Sequence, residues 1–103
     1  MTVELREAGP CTVLAVFGEV DMASSPALRC ALETALDAGT QELCVDLCAT
    51  TFMDSSGLHV LVDAQQLAEG RLTIVCPPGN VRRVLDLTGV SNALRVCDAQ
   101  THA

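Results

Sequence analysis

Polar and apolar residues alternate from Thr2 to Glu7, the period of a half-exposed strand. Gly9-Pro10 marks a turn, and Cys11 to Phe17 is apolar and rich in β-formers. The connection is short enough for a hairpin, so this second strand is expected antiparallel to the first. Gly18-Glu19-Val20-Asp21 ends it, and the period then changes. Ser24-Ser25-Pro26 reads as a helix start, a capping hydroxyl followed by proline at the first helical position. Leu28, Ala31, Leu32, Ala35 and Leu36 recur at helical spacing until Gly39 stops the helix. Leu43 to Leu47 is a third strand, with Leu43, Val45 and Leu47 on one face. A second helix runs from the Asp54-Ser55-Ser56-Gly57 segment to about Glu69, with Leu58, Leu61, Val62 and Gln65 on one side and Gly70 at its end. Leu72 to Cys76 is a fourth strand, and Pro77-Pro78-Gly79 turns the chain. Asn80 caps a third helix whose stripe is Val81, Val84 and Leu85 and whose stop is Gly89; Leu94 to Cys97 is a last short strand.

The order ββαβαβαβ implies parallel pairing with right-handed crossovers after the opening hairpin. Crossovers of one hand place the helices on the same face. The expected fold is therefore α/β: a mixed, mostly parallel sheet of four to five strands with helices packed on one face. No repeat, low-complexity tract or linker interrupts it, so residues 1–103 are expected to form one domain.

Composition narrows the function. Half of the residues are hydrophobic and 18% charged, the balance of a folding chain. With no Trp or Tyr and two Phe, the core must be Leu, Val, Ala and Cys. The net charge of −7, with Arg and no Lys as the cationic residues, would repel a phosphate backbone or an anionic membrane surface. Neither nucleic acid nor a membrane is an expected partner; a protein with a basic contact face is. Six cysteines, at 11, 30, 44, 48, 76 and 97, form no CxxC pair, so no zinc knuckle or thioredoxin-type site is signalled. They read as small buried hydrophobes in a reducing cytoplasm, with Cys44 and Cys48 on one face of a strand. The start shows no secretory pattern, and no apolar run has transmembrane length.

The densest chemistry lies in Thr51-Phe52-Met53-Asp54-Ser55-Ser56-Gly57-Leu58. Here a strand-like segment gives way to a helix, with a carboxylate beside serine hydroxyls at the helix N-terminus, a place suited to a phosphate. Ser55 is expected at the N-cap. Ser55 and Ser56 can be read as a plain cap or as a phosphate carrier, Asp54 as a second capping carboxylate or a contact group, and Asp21 as a turn residue or a contact group. Gly57 suits close packing better than helix formation. Phe52 and Met53 read as core, and His59, Arg82 and Arg83 as solvated helix residues.

Phe52-Met53-Asp54-Ser55-Ser56-Gly57-Leu58 resembles the phosphorylation motif of bacterial anti-sigma factor antagonists, which are single STAS domains. Gly18-Glu19-Val20-Asp21, Val45-Asp46-Leu47 and the segment from Val81 to Val90 are similar to further family blocks in the same order. The resemblance spans roughly Val13 to Val96; His59 departs from a position often small in the family, and the tail after Cys97 is short. It implies a STAS-like fold and a partner switch. The unphosphorylated protein would bind an anti-sigma factor, often itself a serine kinase, and so release a sigma factor. Phosphorylation of Ser55 would abolish that binding, and a serine phosphatase would reset it. Asp21, Asp54, Ser56 and Gly57 would contribute to the partner contact. The responses served by such switches are stress response or sporulation, in the cytoplasm. No cofactor is implied, no metal, and no small-molecule ligand.

Two other functions compete. An enzyme would need an activated nucleophile, but Gly-x-Ser-x-Gly is absent and the two histidines, His59 and His102, suggest no oriented base. A scaffold or sensor-complex STAS domain without a kinase switch is the second alternative.

Overall fold

The computed structural model describes residues 1–89 and 94–98. Strands β1 (Thr2–Ala8) and β2 (Cys11–Val20) form the expected antiparallel hairpin. Then come α1 (Ser25–Asp37), β3 (Glu42–Asp46), β4 (Thr50–Met53), α2 (Ser55–Ala68), β5 (Leu72–Val75), α3 (Asn80–Leu87) and β6 (Val96–Cys97). The main sheet runs β1-β2-β3-β5-β6, parallel except for the opening hairpin, while β4 pairs with β2 off this path.

Strand β4 adds a sixth strand to the four or five expected, and it has a partner because β2 outlasts β3. The first half of β2 pairs with β3 from Cys11 to Ala15. Gly18, Glu19 and Val20 then pair with Thr50, Phe52 and Met53 of β4, whose Thr51 is the extra residue where the register shifts. An irregularity of this kind bends the strand that holds it. The buried Thr50 hydroxyl donates to the Val16 carbonyl at 2.9 Å and fastens the joint.

All three helices lie over one face. Leu14 and Val16 of β2, Leu43 and Val45 of β3, and Leu72 and Ile74 of β5 meet Leu28 and Leu32 of α1, Leu58 and Leu61 of α2, and Val81 and Leu85 of α3 in one cluster. Each fully buried aliphatic side chain contributes about 1.5–3 kcal/mol. Leucines therefore supply the core that the scarcity of aromatics required. Arg71 locks the lower end, its guanidinium donating to the carbonyls of Ala68 at 2.9 Å and Thr40 at 2.8 Å.

The opposite face carries a smaller cluster of Val13, Cys44 and Val75 with Cys11 against it. Cysteine exposure is broader than a core role requires. Cys44 and Cys76 are buried, but Cys30, Cys48 and Cys97 are exposed. Cys48 does not share the strand of Cys44, because β3 ends at Asp46. Nor does Asn80 cap α3: Gly79 holds the N-cap position and Asn80 is the first helical residue.

Thiol accessibility gives a direct check. Burial pushes the Cys44 thiol up to about 11. Cys48 is also pushed up to about 11, first by its hydrogen bond with Asp46. Maleimide labelling of native protein at neutral pH should modify Cys30 and Cys97 first, Cys48 more slowly, and Cys44 and Cys76 only on unfolding. Rapid native labelling of Cys44 would contradict this packing.

Candidate functional site

Two strands, β2 and β4, run parallel and end side by side at Val20 and Met53. Each feeds a helix, so the N-termini of α1 and α2 open at the same end of the sheet. Ligand and partner sites gather at such ends in α/β folds.

The α2 start differs from expectation in one residue. Asp54, not Ser55, is the N-cap. Its backbone is extended, and its Oδ1 accepts from the amides of Ser56 at 2.9 Å and Gly57 at 3.4 Å. A carboxylate is a charge-assisted acceptor at the positive end of a helix, so it outcompetes a hydroxyl for this position. The Ser56 hydroxyl also donates to Asp54 Oδ1, at 2.5 Å. These bonds, with one from the Met22 amide, hold the Asp54 carboxyl below its ordinary value; the Ser56 hydroxyl has the largest effect.

Ser55 becomes the first helical residue and is exposed. Its side chain forms no hydrogen bond among the described residues, whereas Ser56 is half-buried and tied to Asp54. The two adjacent serines are therefore distinct: one held, one exposed to solvent.

Asp21 stands at the other helix start. Its Oδ1 accepts from the amides of Ala23 at 3.1 Å and Ser24 at 3.0 Å, while Ser24 Oγ accepts from the Asp21 amide at 2.9 Å. This is the reciprocal arrangement of a capping box, set one turn ahead of the helix. Ser24 thus faces back toward Asp21 and makes no side-chain cap to α1, and Pro26 is the second helical residue. The Asp21 turn lies close to the other start, near enough for the Met22 backbone to favour the charged Asp54 carboxylate.

Gly57 joins the helix to the strands beneath. A Cβ there would lie 2.8 Å from both Met53 Cγ and Val20 Cγ1. No side chain fits, and the α2 backbone rests on the ends of β2 and β4.

Hydrophobic side chains flank the acidic groups. Phe52 is 48% exposed rather than core, because β4 has one sheet neighbour and only Thr50 and Met53 at its ends turn inward. Met22 is 79% exposed in the Asp21 turn. Sequence reasoning passed over Met22; the signal was a large apolar residue inside a turn between two acidic motifs. Between α1 and α2 an open groove of about 360 Å³ passes Ser25, Ser56 and His59; Arg29 in it pairs with Asp63 at 2.9 Å.

A family model described as the STAS domain matches residues 2–102, and the chain belongs to that family. No relative among the curated proteins matches the chain. Among solved structures, an anti-sigma factor antagonist from Mycobacterium paratuberculosis is 26% identical, with a TM-score of 0.89 over 95% of this chain and 86% of that one. The anti-sigma factor antagonist SpoIIAA in its unphosphorylated form is 23% identical, with a TM-score of 0.72 over 96% of this chain and 90% of that one. The Bacillus cell fate determinant SpoIIAA in the phosphorylated form is also 23% identical, with a TM-score of 0.68 over 93% of this chain and 91% of that one.

Two outcomes are expected at this site. Gly57→Ala should destabilise the fold by about 1–3 kcal/mol through overpacking, read as a lower denaturation midpoint. The sign is diagnostic, since Gly→Ala in an unobstructed helix gains stability by about 1 kcal/mol. Asp54→Ala should also destabilise. Because the Asp54 pKa is lowered by folding, its contribution is complete above the ordinary carboxylate value and lost as pH falls through the folded one. The stability gap between wild type and Asp54→Ala should therefore close in acid; a gap unchanged from pH 7 down to pH of about 2 would contradict the cap.

Proposed function

We propose that this STAS domain is an anti-sigma factor antagonist of the partner-switching kind, with Ser55 as its phosphorylation site. The unphosphorylated form binds an anti-sigma factor of the serine-kinase type in the cytoplasm and releases a sigma factor; phosphorylated Ser55 blocks that binding, and a serine phosphatase restores it. The domain acts as a regulatory binding module rather than as an enzyme.

The observation that carries this reading is the difference between the two serines. Ser55 is exposed and unbonded at the first position of α2, while Ser56 is tied to Asp54. A kinase can reach the first without unmaking the helix start. The surroundings support a protein contact: Phe52 and Met22 offer apolar anchors, and Asp21 and Asp54 offer carboxylates to a basic face. Ser56 and Gly57 serve the contact by fixing the helix start. The solved antagonists of similar fold add support, because SpoIIAA is described in both unphosphorylated and phosphorylated forms and each superposes on this fold.

The geometry also suggests why a phosphate would be decisive. The amides of Ser56 and Gly57 are occupied by Asp54, and the Leu58 amide donates to the Asp54 carbonyl at 3.2 Å. A phosphate brings about −1.5 to −2 charges and finds those donors taken. It must stay solvated beside an ionised Asp54, and a docked partner would bury it.

Incubation with purified kinase-type anti-sigma factors and ATP, followed by peptide mass spectrometry, should place one phosphate on Ser55. Ser55→Ala should retain binding, and Ser55→Asp should lose at least about tenfold in affinity, about 1.4 kcal/mol. Phosphate on Ser56 alone, or equal binding by both variants, would overturn the assignment. Failure to bind any such factor would leave the scaffold reading.

A further inference from the structure

The outer edge of the sheet is unusual in being both open and self-complementary. Among the described residues strand β1 has one neighbour, β2, and six of its seven residues are exposed. Gly9-Pro10 connects Ala8 to Cys11, with Gly9 at φ 64°, so Ala8 and Cys11 close the hairpin as a hydrogen-bonded pair. Antiparallel pairs alternate, so Arg6, Glu4 and Thr2 also bond inward to β2. The N–H and C=O groups of Val3, Leu5 and Glu7 therefore point outward, toward no other strand among the described residues.

We propose that β1 pairs antiparallel with β1 of a second copy across a two-fold axis at Leu5. The outward backbone groups restrict pairing to registers that match Val3, Leu5 and Glu7 among themselves, and the register centred on Leu5 uses all three: Leu5 exchanges both hydrogen bonds with Leu5 of the other copy, and Val3 does so with Glu7. The intervening non-hydrogen-bonded pairs bring side chains closest, and they match Glu4 with Arg6 twice. These charges sit on one face of the strand and already meet within the chain at 3.7 Å. The other face of β1 carries Leu5, 51% exposed, which the two-fold sets against its own copy. An isologous contact of this kind closes at two copies and removes both open edges. A charged edge can also serve to prevent pairing; a strand whose charges are complementary to itself in the register that uses all its outward backbone groups does not serve that purpose well.

Sedimentation velocity of the whole protein at 0.15 M salt, where repulsion between the acidic copies is screened beyond about 8 Å, provides the test. Wild type should pass from 10.8 kDa toward twice that mass as concentration rises. Glu4→Arg and Arg6→Glu each place like charges opposite one another, and each should weaken self-association at least about tenfold. An equimolar mixture of these two variants should associate one to one, since every Arg then meets a Glu. The double variant Glu4→Arg with Arg6→Glu should associate like wild type. In hydrogen exchange, the amides of Val3, Leu5 and Glu7 should gain protection with concentration. A wild type that stays monomeric throughout, or that associates equally well with either single substitution, would overturn the proposal. Since these residues are exposed, unchanged thermal unfolding of the variants separates this result from misfolding.

Discussion

Helix α2 starts where it does because Gly57 has no side chain. Its backbone lies against Met53 and Val20, and a single carbon added there would meet both at 2.8 Å. That contact fixes the depth of the helix on the strand ends. It also fixes the height at which the preceding residues emerge. Asp54 leaves β4 in an extended conformation, its amide donating to the Val20 carbonyl at 3.2 Å, and its carboxylate then curls over the first turn. Ser55 is exposed and Ser56 held as a consequence of this packing.

The change of partner along β2 matters as much for the site. Strand β3 ends at Asp46, opposite Ala15, and from Gly18 onward β2 pairs with β4 instead. The last residues of β2 and β4 thus form a short parallel pair that delivers two helix starts to one place. The two starts use different chemistry. At Asp21 the carboxylate and Ser24 bond reciprocally within a turn; at Asp54 the carboxylate caps a helix through the Ser56 and Gly57 amides.

Much of this was legible in the chain. The strand and helix periods of a leucine-rich core placed the hairpin, the three helices and the alternation after them, because inward residues on a parallel sheet must all be apolar. The requirement at Gly57 was also legible, since glycine inside a helix needs a reason. The misreadings share a cause: they concern short segments whose state is decided by neighbours distant in sequence. Strand β4 is four residues long and exists through its pairing with the far end of β2. Phe52 looks like core by type, but its strand has too few neighbours to cover it. Either Asp54 or Ser55 could cap a helix by local rules; the strand pairing of Met53 decided the matter by ending one residue before Asp54. The exposed cysteines were misjudged because thiols are usually buried, and residue type alone cannot show which strand ends early.

The open edge and the switch end occupy separate parts of the fold, and pairing geometry says how they would combine. The proposed switch lies where β2 and β4 end, while the proposed axis passes through Leu5, opposite Leu14 in the middle of β2. Two strands paired antiparallel across a two-fold reverse the direction of everything attached to them. The β2 strands of two copies would therefore point opposite ways, with one Ser55 at each end of a continuous sheet. Neither copy would cover the other's Asp21 turn or α2 start, and the two phosphates would be too far apart to repel through salt at physiological strength. Such a dimer would carry two independent switches, each free to take its own partner. Cooperativity between them would need a two-state element crossing the β1 pair, and a strand ladder fixed in one register offers none.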